Sequence, residues 1–350
     1  MPRSPRSPRR VLAAATAVLA LTALAGCGTT EVPEAAQASA GAGAALSESC
    51  AADDTSTSTG PVSVTDGLGR TVELDAPAER VAVLEWQQTE DLLTLCVAPV
   101  AVADVQGFTT WVSAETLPEG TADVGTRQEP DLEAVFATDP DLVIVEVTGE
   151  DDEILGQLEE RGVPVLATVG ADSTDPIAHM TGLFSMIGEA TGRSERAEAV
   201  LGEFEQHLAD AKSEISAAGL PTTDFVYFDG WVDGGNVTLR PFGEGALFTA
   251  IGQELGLTPA WPGEVDPVYG LGQSDIEGFI EVGEANLFYT GTEDPDGSYV
   301  AELEKNAIWA SLPAVEDGRV HAFPSGIWTF GGPRSSEQAI DAYVDTLTAP

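Results

Sequence analysis

Short runs that are apolar on both faces alternate with stretches of helical spacing along most of this chain. The segments "RVAVLEW" (80–86), "VAVAD" (100–104), "DLVIVEV" (141–147) and "VPVLATVG" (163–170) are rich in β-branched residues. Such runs suit strands covered on both faces in a parallel sheet. Between them, "TEDLLTLCV", "DLEAVFAT" and "DDEILGQLEERG" have helical spacing. The series predicts βαβ units, and hence an α/β lobe over residues 61–175. Over 176–218 the strand signal stops: Met180, Leu183, Phe184 and Ile187, then Ala197, Val200, Phe204, Leu208, Ala211 and Ile215 recur at three and four. Gly192 and Arg193 divide this stretch into two helices, of which the first is the candidate rigid bridge. A second alternation over 219–350, with "DFVYFDGW", "GALFTAIGQELG", "NLFYTG", "RVHAFP" and a helix from about 335 to 347, predicts a second α/β lobe. Asp131-Leu132-Glu133-Ala134-Val135 and Asp275-Ile276-Glu277-Gly278-Phe279 each open a short helix before a strand. That repeat argues for two similar lobes, an arrangement in which ligands sit at the domain interface.

Ahead of the lobes the pattern differs. Arg3, Arg6, Arg9 and Arg10 precede an uncharged apolar run, 11–26, and then Cys27; this is the layout of a secretory leader over residues 1–26. The run is shorter than the roughly 20 residues a membrane-spanning helix needs. "LTALAGCGTT" resembles a bacterial lipobox. The resemblance implies that Cys27 becomes the first residue and carries diacylglycerol on its sulfur, and a second acyl chain makes such an anchor stable. The expected location is extracytoplasmic, on the cell membrane. Residues 27–60 are rich in Ala, Gly, Ser and Thr and lack Lys and Arg, so they read as a flexible, lipid-anchored linker.

Charge narrows the function classes. The chain has 58 acidic and 15 basic residues, four of the latter in the leader. A folded body this acidic has no basic face for nucleic acid. It also repels anionic ligands at long range, although screening beyond about 8 Å leaves their capture to local arginines. With Cys27 acylated, Cys50 and Cys96 remain as an even pair in an oxidising compartment. They form a disulfide that pins the linker to the first lobe, or Cys96, inside "DLLTLCV", is a small buried hydrophobe. Enzyme signatures are absent: there is no G-x-S-x-G elbow, Walker loop or HExxH. With His179, His207 and His321 the only histidines, no resident metal, cofactor or catalytic residue is expected.

Three segments then carry a family resemblance: "VTDGLGRTVELDAPAERVAVL" (64–84), "VGTRQEPDLEAVFATDPDLVIV" (124–145) and "ASLPAVEDGRVHAFPSGIWTFGGPRSSEQAID" (310–341). In this order they resemble the substrate-binding lipoproteins of iron-siderophore ABC importers, a class with cobalamin- and haem-binding relatives. The resemblance implies an α/β fold of two lobes joined by a single long helix, with the ligand cleft between them. It also implies a monomer that captures a ferric siderophore and delivers it to ABC permease subunits. A haem or cobalamin receptor of the same class is the nearest alternative, and an extracellular lipoprotein enzyme the more distant one.

In similar hydroxamate receptors the arginine of the "VG-x-R-x-E-P-x-L-E" segment points toward the iron-bound oxygens, the place Arg127 occupies here. A guanidinium presents a planar fork of donors that suits clustered oxygens. Otherwise Arg127 is a surface residue paired with Glu129 or Asp131. Trp328, in "GIWTFGG", matches a pocket tryptophan of similar receptors, and Arg240, in "VTLRPFG", is the second cation expected in the cleft. Trp86, Trp111, Trp261 and Tyr269 lie at strand ends or in loops where a cleft would be, or else pack in the core. The tyrosine that some relatives place after "DLVIV" is replaced by Glu146 and Val147. Glu133 and Glu277 resemble the glutamates, one per lobe, that dock onto permease arginines. As alternatives, Glu133 is an acid favoured in a first helical turn and Glu277 closes a capping box with Ser274.

Overall fold

The computed structural model describes residues 48–291 and 298–349. The leader, Cys27 and the linker up to residue 47 lie outside the described residues. A short helix α1 (Glu48–Ala51) precedes a hairpin, β1 (Val62–Thr65) and β2 (Thr71–Leu74). The first lobe follows as β3 (Val81–Val83), α2 (Trp86–Thr94), β4 (Ala101–Val102), α3 (Val105–Trp111), β5 (Ala122–Asp123), α4 (Leu132–Ala137), β6 (Leu142–Glu146), α5 (Glu153–Glu159) and β7 (Val165–Thr168). Its five strands are all parallel, in the order β5-β4-β3-β6-β7. The doubly apolar runs have their explanation in this sheet. Val81, Val83, Leu142 and Ile144 face a core that includes Phe184 and Ile187, whereas Ala82, Val143 and Val145 face one that includes Val135 and Leu158.

Two helices, α6 (Pro176–Ala190) and α7 (Ser194–Ala218), connect the lobes. The first was expected to be the bridge, and both helices make the crossing: Leu183, Phe184 and Ile187 of α6 belong to the first lobe's core and its Met180 to the second's. Ala197 and Val200 of α7 belong to the first lobe's core, and Phe204, Ala211 and Ile215 to the second's. At 25 residues it extends about 37 Å, enough to span both cores. Gly192 and Arg193 separate the two helices as expected, and Arg193 does more than break them. It donates to the carbonyl of Leu95 and to Thr57, and pairs with Asp53.

The second lobe comprises β8 (Asp224–Asp233), β9 (Asn236–Phe242), α8 (Leu247–Glu254), β10 (Thr258–Pro259), a 3₁₀ turn (Glu277–Val282), β11 (Asn286–Tyr289), α9 (Tyr299–Leu303), α10 (Ala307–Ala310), α11 (Pro313–Glu316), β12 (Val320–Ala322) and α12 (Pro333–Thr348). Four parallel strands run β10-β8-β11-β12, and β9 adds antiparallel to β8. The β8–β9 hairpin has no counterpart in the expected alternation. Gly234 and Gly235, both at positive φ, turn it, as a two-residue hairpin loop requires.

The linker expected to run to residue 60 ends earlier. Cys50 and Cys96 are joined by a disulfide, Ser56 donates to Glu195, and Ser58 donates to the carbonyl of Gly192. Residues from about 50 onward are therefore tied to the first lobe, through contacts that composition does not reveal. Among the described residues, no helix is long and apolar enough to cross a membrane.

Candidate functional site

Topology locates the site before any side chain is considered. In the first sheet β3 has β4 on one side and β6 on the other, so strand order reverses there. The carboxyl ends of strands at such a reversal flank the ligand crevice of doubly wound sheets. Glu85 follows β3 and Glu146 is the last residue of β6. A cavity of about 400 Å³ lies against them, with Glu85, Arg127 and Glu146 from the first lobe facing Arg240, Tyr269 and Trp328 from the second.

Arg127 is presented by a tight loop. Gly125 and Pro130 form an antiparallel bridge, and the Asp131 amide donates to the Val124 carbonyl at 2.7 Å, so residues 126–129 project as a unit. The guanidinium lies 3.7 Å from the Trp86 ring centroid and 5.6 Å from that of Trp328. Those two indoles meet edge to face at 4.9 Å. The partner of Arg127 is neither Glu129 nor Asp131 but Glu85, whose Oε1 accepts from Nη1 at 2.6 Å. The same Oε1 accepts the Trp86 amide and so caps α2. A residue at a helix start thus also orients the cleft cation, leaving the rest of the guanidinium fork toward the cavity.

Arg240 is placed by strand register. It stands opposite Asp229 in the β8–β9 ladder and makes a two-point ion pair with it, Nε donating to Oδ1 at 2.8 Å and Nη2 to Oδ2. The Phe242 and Phe330 rings each lie 5.6 Å from its guanidinium carbon. Tyr269 reaches across the cleft, its hydroxyl donating to Glu146 Oε1 at 3.0 Å. Gly170 makes that approach possible, since a Cβ there would lie 2.0 Å from the Tyr269 hydroxyl. Burial, reinforced by the nearby Glu85 charge, raises the Glu146 carboxyl to about 7. Burial is also the main cause of the upward shift of the Tyr269 phenol, with Glu146 adding to it. A tyrosine is therefore present beside the end of β6 after all, contributed by the opposite lobe.

The remaining expected residues are distributed differently. Trp86 is 4% exposed and forms the floor beneath Arg127 rather than an open wall. Trp111, at the end of α3, is 44% exposed and does not line the cavity. Trp261 packs on Phe279 inside the second lobe, 5.5 Å between centroids, close to Gly243, Gly263 and Gly272. Glu133 and Glu277 are exposed and lie outside the cavity lining. The capping box does not form: Ser274 donates to the Asp275 carbonyl, and Asp275 accepts the Gly278 amide. Glu85, Glu146 and Gln87 join the site without having been singled out for it. Their one signal is position after a strand at the sheet's reversal.

The described residues include no group of three or more His, Cys, Asp or Glu side chains arranged to hold a metal ion. His179 contacts the Val169 carbonyl, His207 the Asp341 carboxylate, and His321 stacks on Phe288. The cavity can instead offer donors and aromatic faces to a preformed, oxygen-rich complex.

Comparison with known proteins gives one consistent answer. Residues 81–326 match the model of the family described as periplasmic binding protein. YhfQ of Bacillus subtilis strain 168, named as an ABC transporter substrate-binding lipoprotein, is 28% identical over 82% of this chain and 87% of its own. The iron(3+)-hydroxamate-binding protein FhuD of Escherichia coli K12 is 26% identical over 73% of this chain and 83% of its own. The Fe3+-Desferal-bound siderophore-binding protein FhuD of Vibrio cholerae has a similar fold, with a TM-score of 0.67 at 23% identity, covering 77% of this chain and 98% of its own.

Proposed function

This chain belongs to the periplasmic binding protein family, and from that premise we propose that it is an extracytoplasmic receptor that captures a ferric siderophore and delivers it to an ABC importer. The observation that carries the reading is the interlobe cavity, where Arg127 is braced by Glu85 and laid on Trp86 beside Trp328. A braced guanidinium between indoles is pre-ordered to meet clustered, partly negative oxygens, so less rotamer entropy is lost on binding. Similarity to a ferric hydroxamate-binding protein and to an ABC substrate-binding lipoprotein supports it. The leader and the lipobox-like segment support anchorage through lipid on Cys27. In this reading Glu133 and Glu277, exposed one on each lobe, meet the permease, and the protein acts by binding and release without a chemical step of its own.

Titration of the purified protein, followed by intrinsic tryptophan fluorescence, tests the reading. Trp86 and Trp328 at the cavity make quenching by a ferric complex a direct readout. Saturable submicromolar quenching by a ferric siderophore, and not by its iron-free form, haem or cobalamin, is expected. Response to haem or cobalamin alone would move the protein to another branch of the family.

A further inference from the structure

The cleft's charge balance bears on which ferric complex it takes. Both of its guanidiniums are already paired with protein carboxylates, Arg127 with Glu85 and Arg240 with Asp229. Among the described residues, no lysine and no third arginine lines the cavity. Glu146 is a third carboxylate, held at the cavity wall by the Tyr269 hydroxyl. Two cations thus stand against three acids, inside a chain that carries 58 acidic residues. An anionic complex entering here finds no uncompensated positive charge: each guanidinium can still donate hydrogen bonds, but its charge is already balanced by its own carboxylate. A complex bearing a cation meets the opposite situation, because among the described residues Glu146 has no cation in direct contact, its carboxylate accepting from the Tyr269 hydroxyl instead.

Resting on the receptor function proposed above, we infer that the cleft selects a ferric siderophore carrying a protonated amine or equivalent cation, and that Glu146 is the carboxylate that meets it. In this arrangement Arg127 and the indoles hold the iron-chelating end, while the cationic end reaches across toward Glu146 and Tyr269. The groups facing Glu146 are Glu85, Arg127, Gln88 and Tyr269. Its carboxyl is raised to about 7, so part of the population is protonated at neutral pH. Arrival of a ligand cation favours the ionised form and releases that proton, coupling binding to pH.

The test compares Fe3+-Desferal, whose terminal amine is protonated at pH 7, with its N-acetylated form, which keeps the same hydroxamate shell around iron and lacks the charge. An anionic ferric triscatecholate is the third probe. The unaltered protein is expected to bind the amine form about tenfold more tightly than the acetylated form, as befits a charge-assisted hydrogen bond, and the triscatecholate least. Calorimetry in two buffers of different ionisation enthalpy should show proton release with the amine form only. In Glu146→Gln, which retains a carbonyl acceptor for Tyr269, the two Desferal forms should converge through loss of affinity for the amine form. Equal affinity of the unaltered protein for both forms, or preference for the triscatecholate, overturns the inference and needs no variant to show it. A failure of every ferric complex to bind would overturn the receptor function itself and this inference with it.

Discussion

Arg127 carries the account at the residue scale. It is fixed from three sides, by the closed loop that presents it, by Glu85 at 2.6 Å and by the Trp86 ring at 3.7 Å. Arg127→Ala should therefore weaken ferric-ligand binding by about 1.5 to 3 kcal/mol, the range for hydrogen bonds to charged groups, as measured by fluorescence titration. Arg127→Lys should recover only part of the loss, because an ammonium keeps the charge but not the planar fork or the stacking. Unchanged affinity in both variants would return Arg127 to a bracing role for α2. The sequence made Arg127 and Trp328 visible because each sits in a distinctive local segment. It hid Glu85 and Glu146 because a chain this acidic has carboxylates nearly everywhere, and only the sheet's topology singles out two of them. Trp111 and Trp261 show the converse. Trp111 ends helix α3 and Trp261 follows β10, yet neither lines the cavity: one projects to solvent and the other fills space beside glycines, a difference set by packing partners distant in sequence.

The most unusual element is α2, whose nine residues are all buried, including Glu90 and Asp91. The helix lies between the first lobe and the start of α12. Glu90 accepts the Ser335 amide at 2.8 Å and its hydroxyl at 2.6 Å, capping the second lobe's last helix from the first lobe. Burial outweighs those hydrogen bonds and raises the Glu90 carboxyl to about 7, and burial with the neighbouring Glu90 charge also pushes Asp91 upward. Groups whose folded pKa lies above the unfolded value favour the native state while they are protonated. Their contribution is therefore fully present below the ordinary carboxylate range and is lost as pH rises toward and past 7. Thermal melts should show lower stability at pH 8 than at pH 5.5, and Glu90→Gln should flatten that difference. A melting temperature that rises steadily from pH 5.5 to 8 would contradict the assignment. The helical spacing of "TEDLLTLCV" marked a helix here, but said nothing of what covers its polar residues. Its polar residues are buried from two sides: Gln88 and Thr94 bond Thr168 and Glu115 of the first lobe, while Glu90 meets the second lobe through Ser335, 245 residues away in sequence.

For the whole molecule, the two α/β lobes and the helical connection between them were legible because parallel strands buried on both faces leave long apolar runs. That both helices cross was not. Each has an apolar face, and only the three-dimensional division of their residues between two cores shows that α6 and α7 alike span the lobes. The β8–β9 hairpin escaped the alternation for a similar reason: β9, which carries the cleft's Arg240, pairs antiparallel with β8 and is covered on its other side by the segment 270–274, a neighbour the local pattern does not reveal. Function at this scale means capture followed by delivery. Glu133 and Glu277 lie outside the cavity, so the docking role proposed for them separates from binding, and opposed charges at a docking interface govern orientation and encounter rate. The most direct measurement is uptake of radioactive iron, presented as the ferric siderophore that the purified protein binds, by cells lacking this chain and supplied with variants at matched expression. Loss of the chain should abolish uptake, and the unaltered chain should restore it. Glu133→Ala with Glu277→Ala should restore little while binding the complex as well as the unaltered protein does. Undiminished uptake without the chain would contradict the account at its centre.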